Sequence, residues 1–97
     1  MSDEVARLRQ DYAPAFLAFL SRRDEAGLRA AYELGRRAMS STVGLLELVG
    51  VHHEVALEVM RTARNVDEAQ DIARAASAFL AETLAAFEMT QRAFMER

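Results

Sequence analysis

The side chains in this chain that could carry chemistry are few, and two are adjacent: His52 and His53, followed at once by Glu54. An imidazole near neutral pH moves protons or binds a metal. Each such use needs a particular neighbourhood. A di-metal site in a helical bundle is built from Glu-x-x-His pairs. The residue three before His52 is Val49, and the residue three before His53 is Gly50. A zinc-peptidase helix needs His-Glu-x-x-His, whereas His53-Glu54 is followed by Val55, Ala56 and Leu57. The sequence therefore predicts no metal and no cofactor. Phosphate-cradling glycine loops, nucleophile elbows and kinase signatures are missing, and no catalytic residue is assigned.

The element that must position both histidines is Leu45 to Met60, LLELVGVHHEVALEVM. As a helix, it places Glu47, Glu54, Glu58 and the following Arg61 at i, i+7, i+11 and i+14. At about 100° per residue, that spacing forms one narrow polar stripe on an otherwise apolar cylinder. A helix of this kind is surrounded by other helices. His52 lies nearly opposite the stripe and should face the core, where a buried imidazole needs a hydrogen-bond partner. The hydroxyls of Tyr32 and Tyr12 and a free backbone carbonyl are the candidates. His53 lies beside the stripe, toward the surface or a dimer seam.

Ninety-seven residues make one small domain, spanning 1–97. A hydrophobic share of 52% supports a modest core, and a net charge of −3 argues against a nucleic-acid partner. With no cysteine, disulfides and thiolate metal sites are excluded. No apolar run approaches the ~18 residues needed to cross a bilayer, and the polar MSDEVARLRQ start is unlike a signal peptide. The expectation is a soluble cytoplasmic protein with no membrane partner.

Alanine is abundant and alternating strand patterns are absent, which predicts an all-α fold. The first helix begins after Ser2 and carries Val5, Leu8, Tyr12, Ala15, Phe16, Phe19 and Leu20 at three- and four-residue steps. Pro14 lacks an amide proton, so either the helix bends near Gln10, the favoured reading, or a short first turn precedes a new start around Ala13. Asp24 caps the second helix, whose inner face holds Leu28, Ala31, Tyr32, Gly35, Ala38 and Met39, and Thr42 is placed as the cap of the third. Asn65 and Glu68 mark the start of the fourth as a capping box. That helix runs to Arg97 with a heptad seam of Ala73, Ala76, Leu80, Thr83, Phe87, Thr90 and Phe94. No stop signal closes it, which predicts either a continuing chain or a docked end. The short connections predict a compact four-helix bundle with a long last helix. On this reading Leu48, Val51 and Val55 exceed what an inner stripe needs and, with Phe87 and Phe94, offer a surface that a homodimer would cover.

Two resemblances bear on function. His53-Glu54 resembles the His-Glu pair of histidine-kinase phosphoacceptor helices, in which the carboxylate orients the imidazole for attack. That gives the alternative reading, a dimerisation and phosphoacceptor helix pair of a two-component system using His53. The run AYELGRRAMSSTVGLLELVGVHHEVALEVM, followed by AAFEMTQRAF, resembles the amino-terminal domain of RsbU-type stress-response phosphatases. The resemblance covers roughly Tyr12 to Phe94 and rests on Gly35-Arg36-Arg37, the branched apolar residues before His52, and Phe87-Glu88. It implies a non-enzymatic, homodimeric helical domain of bacterial stress signalling, similar in fold to the helical dimer of the circadian regulator KaiA. An RsbT-like switch protein or another signalling protein would bind it, regulating an attached PP2C-type phosphatase or other signalling module. Docking is expected on the second and fourth helices, near Arg29, Ser77 and Ala81.

Overall fold

In a computed structural model, residues 3–95 are described, the side chain of Phe94 excepted. They form four helices, α1 (Asp3–Arg22), α2 (Glu25–Ser40), α3 (Leu45–Met60) and α4 (Val66–Met95), and no strand among the described residues. α2 packs most extensively on α4, while α3 lies across α1 and α4. Phe79 of α4 sits at the centre, with ring centroids 5.2, 5.5 and 5.8 Å from Tyr12, Phe16 and Phe19 of α1. Offset and edge-on aromatic contacts of this kind hold helices at a fixed separation. Pro14 falls inside α1 without ending it. Pro14 offers no amide proton to the Gln10 carbonyl, and both residues lie on the exposed side of the helix.

Each helix boundary has a local cause. Asp24 accepts a hydrogen bond from the Gly27 amide at 2.9 Å, opening α2. Between α1 and α2, Arg23 adopts φ 51°, the left-handed conformation that stops a helix. It is held there by bonds from its amide to the Phe19 carbonyl (2.7 Å) and from its guanidinium to Asp71 Oδ2 (2.6 Å). Those contacts offset the strain of left-handed backbone in a residue with a side chain. The cap of α3 is Gly44 rather than Thr42. Thr42 instead donates to Glu4 of α1, and Glu47 accepts the Gly44 amide at 3.0 Å. At α4, Asn65 Oδ1 accepts the Glu68 amide at 2.8 Å, as a capping box requires. Glu68 returns to the amide of Arg64 at 3.1 Å, one residue earlier than the box would have it.

The seam of α4 is rotated from its predicted register. Ile72, Ala75, Ala76, Phe79, Thr83 and Ala86 are buried, whereas Ala73 is exposed and Leu80 half-buried. Gly35 explains the tightness of the α2–α4 contact. A Cβ there would lie 2.1 Å from the Thr83 carbonyl oxygen and 3.0 Å from Ala86 Cβ, so only glycine admits the approach.

A larger correction concerns α3. Leu48, Val51 and Val55, predicted as interface surface, are 0%, 1% and 4% exposed and belong to the monomer's own core. The outward side of α3 instead carries Leu46, Gly50, His53 and Leu57.

Candidate functional site

Three polar side chains meet in the core, one from each of three helices. Tyr12 (α1) and Thr83 (α4) are fully buried, and His52 (α3) is 8% exposed. The Tyr12 hydroxyl lies 2.7 Å from His52 Nδ1, so Tyr12 is the partner among those the sequence offered. Either the phenol donates to a bare Nδ1 or a protonated Nδ1 donates to the phenolic oxygen. Thr83 donates its hydroxyl to the Phe79 carbonyl at 2.9 Å, one turn back in α4. The position of Thr83 on the inner face was legible in the sequence, but its membership of this cluster was not. A hydroxyl on a helix is expected to bond its own backbone.

Burial sets the charge state of this cluster. It lowers the pKa of His52 below its ordinary 6.5, and the neighbouring His53 charge lowers it further. Burial also pushes the Tyr12 phenol well above its ordinary range, against a smaller downward pull from the Thr83 hydroxyl. Both groups are therefore neutral at pH 7 and enclosed by Phe79 and the walls of the bundle. What the arrangement does is tie three helices together through satisfied polar contacts.

His53, by contrast, is exposed. Glu54, which would orient it in a phosphoacceptor pair, forms an ion pair with Arg9 of α1 at 2.8 Å. The carboxylate is thereby committed to the α1–α3 seam. No group of three or more His, Cys, Asp or Glu side chains that could hold a metal is found among the described residues. A cleft of about 250 Å³ at the α1–α2 end is lined by Glu4, Arg7, Asp11 and Arg37, among others. Asp11 and Arg37 are paired across it at 3.1 Å.

The remaining features are surfaces. Arg29 of α2 and Ser77 and Ala81 of α4 are exposed. Ser77 and Ala81, four residues apart, share one side of α4. No hydrogen bond or ion pair among the described residues joins Arg29 to either of them. Phe87 is half-buried against the core, and beyond it Met89 and Met95 are 58% and 78% exposed. Phe94 lies on α4, with its side chain outside the described residues. No helix of the described residues is long and apolar enough to cross a membrane.

The class that emerges is an all-α bundle whose internal polar groups are tied up in packing and whose distinctive exposed features are patches of surface. Residues 10–90 of the 97 match the family described as the N-terminal domain of phosphoserine phosphatase RsbU. The chain belongs to that family, which is the regulatory segment of such phosphatases and not their catalytic domain. Comparison with curated proteins and with solved structures gave no match.

Proposed function

We infer that this chain is a non-catalytic, homodimeric regulatory domain that receives an RsbT-like switch protein and thereby controls a PP2C-type phosphatase or other signalling module joined to it. The family match over residues 10–90 carries this reading. The partner docks on the outer sides of α2 and α4, where Arg29 supplies an exposed charge and Ser77 and Ala81 allow close approach. Small exposed residues suit a docking helix because they let backbones come together.

The second copy packs against the end of α4, around Phe87, Met89 and Met95, where apolar side chains stand uncovered. A signal received on α2 and α4 then travels along α4 as a rigid element. At 30 residues α4 is the longest helix, and it carries both the docking face and this end.

Calorimetric titration with an RsbT-type switch protein tests the docking face. The unaltered domain binds, Ala81→Arg and Ser77→Arg each weaken binding at least about ten-fold, and their melting temperatures stay within a degree or two. Absence of binding, or equal binding by the arginine variants, refutes it. Sedimentation equilibrium tests the dimer: Met89→Glu shifts the domain to monomer, and a monomer at micromolar concentration before substitution would contradict it.

A further inference from the structure

We propose that the outward face of α3 is a second docking surface, separate from α2 and α4, which binds an amphipathic helix carrying a basic edge. The face combines exposed Leu46, His53 and Leu57 with the half-buried Val49 and Gly50 between them. Leu46, Val49, Gly50, His53 and Leu57 fall within a narrow arc of α3, opposite the buried Leu48, Val51 and Val55. Leu46 is 86% exposed and Leu57 44%, although each is a leucine on the most apolar helix of the chain. Isolated exposed leucines are ordinary, but here they form one continuous strip along the helix.

Gly50 lies in the middle of that strip. A Cβ at Gly27 or Gly35 would strike a neighbouring helix, whereas a Cβ at Gly50 would meet nothing within 4 Å. The fold gives Gly50 no internal reason to be glycine, and glycine inside a helix weakens it by about 1 kcal/mol relative to alanine. The missing side chain makes a shallow notch between Leu46 and Leu57, which suits the closely approaching backbone of a partner helix.

Size and charge select the occupant. A helix of 16 residues is about 24 Å long and 10 Å across, so one face offers a few hundred Å² at most. A stable dimer needs roughly 800 Å² from each side. The strip therefore fits a single docked helix better than a second globular copy. Along one edge run Glu47, Glu54 and Glu58, of which only Glu54 has an ion-pair partner among the described residues. An antiparallel second copy would bring both acidic rows to the same edge, and a parallel one would set each row against Leu45 and Ala56. The cation on this edge, Arg61, stands at its far end, so either arrangement leaves the middle of the acidic row facing no cation. An anionic bilayer is repelled by the same row. A helix with lysines or arginines along that edge satisfies the carboxylates while its leucines cover the strip.

The test uses the whole domain and two designed helical peptides as long as α3. Both carry a leucine stripe; one has lysines along a single edge and the other glutamates. Fluorescence anisotropy should show saturable binding of the lysine peptide and binding of the glutamate peptide weaker by about ten-fold, the yield of two or three exposed ion pairs. Leu46→Ser with Leu57→Ser should abolish binding, and Glu47→Gln with Glu58→Gln should erase the difference between peptides. Ala81→Arg, on the other docking face, should change nothing, so this inference and the proposed function fail independently. These positions are exposed, and an unchanged helical circular dichroism spectrum confirms the fold of each variant. Equal affinity for both peptides overturns the proposal, as does binding that survives loss of Leu46 and Leu57. Self-association removed by Leu46→Ser would assign the strip to a second copy, and binding to phosphatidylcholine–phosphatidylglycerol vesicles lost in that variant would assign it to a bilayer. Either result also overturns it.

Discussion

Replacing Gly35 and Gly50 by alanine, one at a time, should move stability in opposite directions although both lie inside helices. At Gly35 the new methyl carbon would sit 2.1 Å from the Thr83 carbonyl oxygen and 3.0 Å from Ala86 Cβ. The obstacle at 2.1 Å is backbone, which no rotamer change can remove. Ordinary contact begins near 3.4 Å, so α2 and α4 must separate by more than an ångström along their largest interface. Overpacking of this kind costs about 1–3 kcal/mol, and loosened contacts around Phe79 add to it. The gain of about 1 kcal/mol from alanine's helix propensity offsets only part.

The expected net loss is about 1–2 kcal/mol, or roughly 5–15 °C in melting temperature for a domain of this size. At Gly50 no atom lies within 4 Å of the added carbon, so the propensity gain stands alone. Gly50→Ala should raise the melting temperature by roughly 4–8 °C. Thermal unfolding followed by circular dichroism at 222 nm, with urea titration as a second measure, reads both. A Gly35→Ala domain as stable as its parent would refute the close α2–α4 approach. A destabilised Gly50→Ala domain would show that something covers α3 in the isolated protein.

Further outcomes follow from the polar cluster and from the corrected face of α3. Burial lowers the folded-state pKa of His52, so the unfolded chain takes up its proton first as pH falls. Stability from His52 is therefore complete above 6.5, and is lost as pH drops from 6.5 toward the lower folded-state value, with a slope of at most about 1.4 kcal/mol per pH unit. Urea denaturation at successive pH values should show this slope in the parent and not in His52→Gln; an identical pH profile in the two would contradict it. Tyr12→Phe removes the side-chain partner of His52 Nδ1 among the described residues and should cost about 1–3 kcal/mol, measured the same way. Leu48→Ala should cost about 2–5 kcal/mol, because Leu48 is fully buried, and Leu46→Ala less than about 0.5. Similar losses at the two positions would reverse the assignment of the inner face.

The contrast between helices shows what a single sequence encodes about this fold. α1 repeats large apolar residues at three- and four-residue steps, so Val5, Leu8, Tyr12, Phe16 and Phe19 were legible as its buried face, while Ala15 and Leu20 on the same predicted face are only half-buried. The caps at Asp24 and Asn65 were legible because side-chain oxygens compete for amides within three residues. The inner face of α3 was not. When a helix is apolar nearly all round, its polar stripe is the only marker, and a stripe does not say whether it lies at the outermost point or at a rim. The stripe is in fact a rim, since Glu54 reaches sideways to Arg9 on α1. Shifting the outward direction by that angle moves Leu48, Val51 and Val55 into the core and leaves Leu46 and Leu57 in solvent. In α4 the cause is different. Alanines at 69, 73, 75, 76, 78 and 81 mark no side strongly, so the seam through Ala73 could not be told from the true one through Ile72.

For the docking face the sequence supplied residue positions, and the fold shows that Arg29, Ser77 and Ala81 are accessible. Which protein touches them depends on the partner's surface as much as on this one.

The most direct test of a regulatory docking role on α2 and α4 is amide hydrogen exchange of the domain with and without an RsbT-type switch protein. The account predicts added protection in the segments containing Arg29, Ser77 and Ala81, with the outward residues of α3 unchanged. No change in exchange at saturating partner, or protection confined to α3 around Leu46 and Leu57, would contradict it.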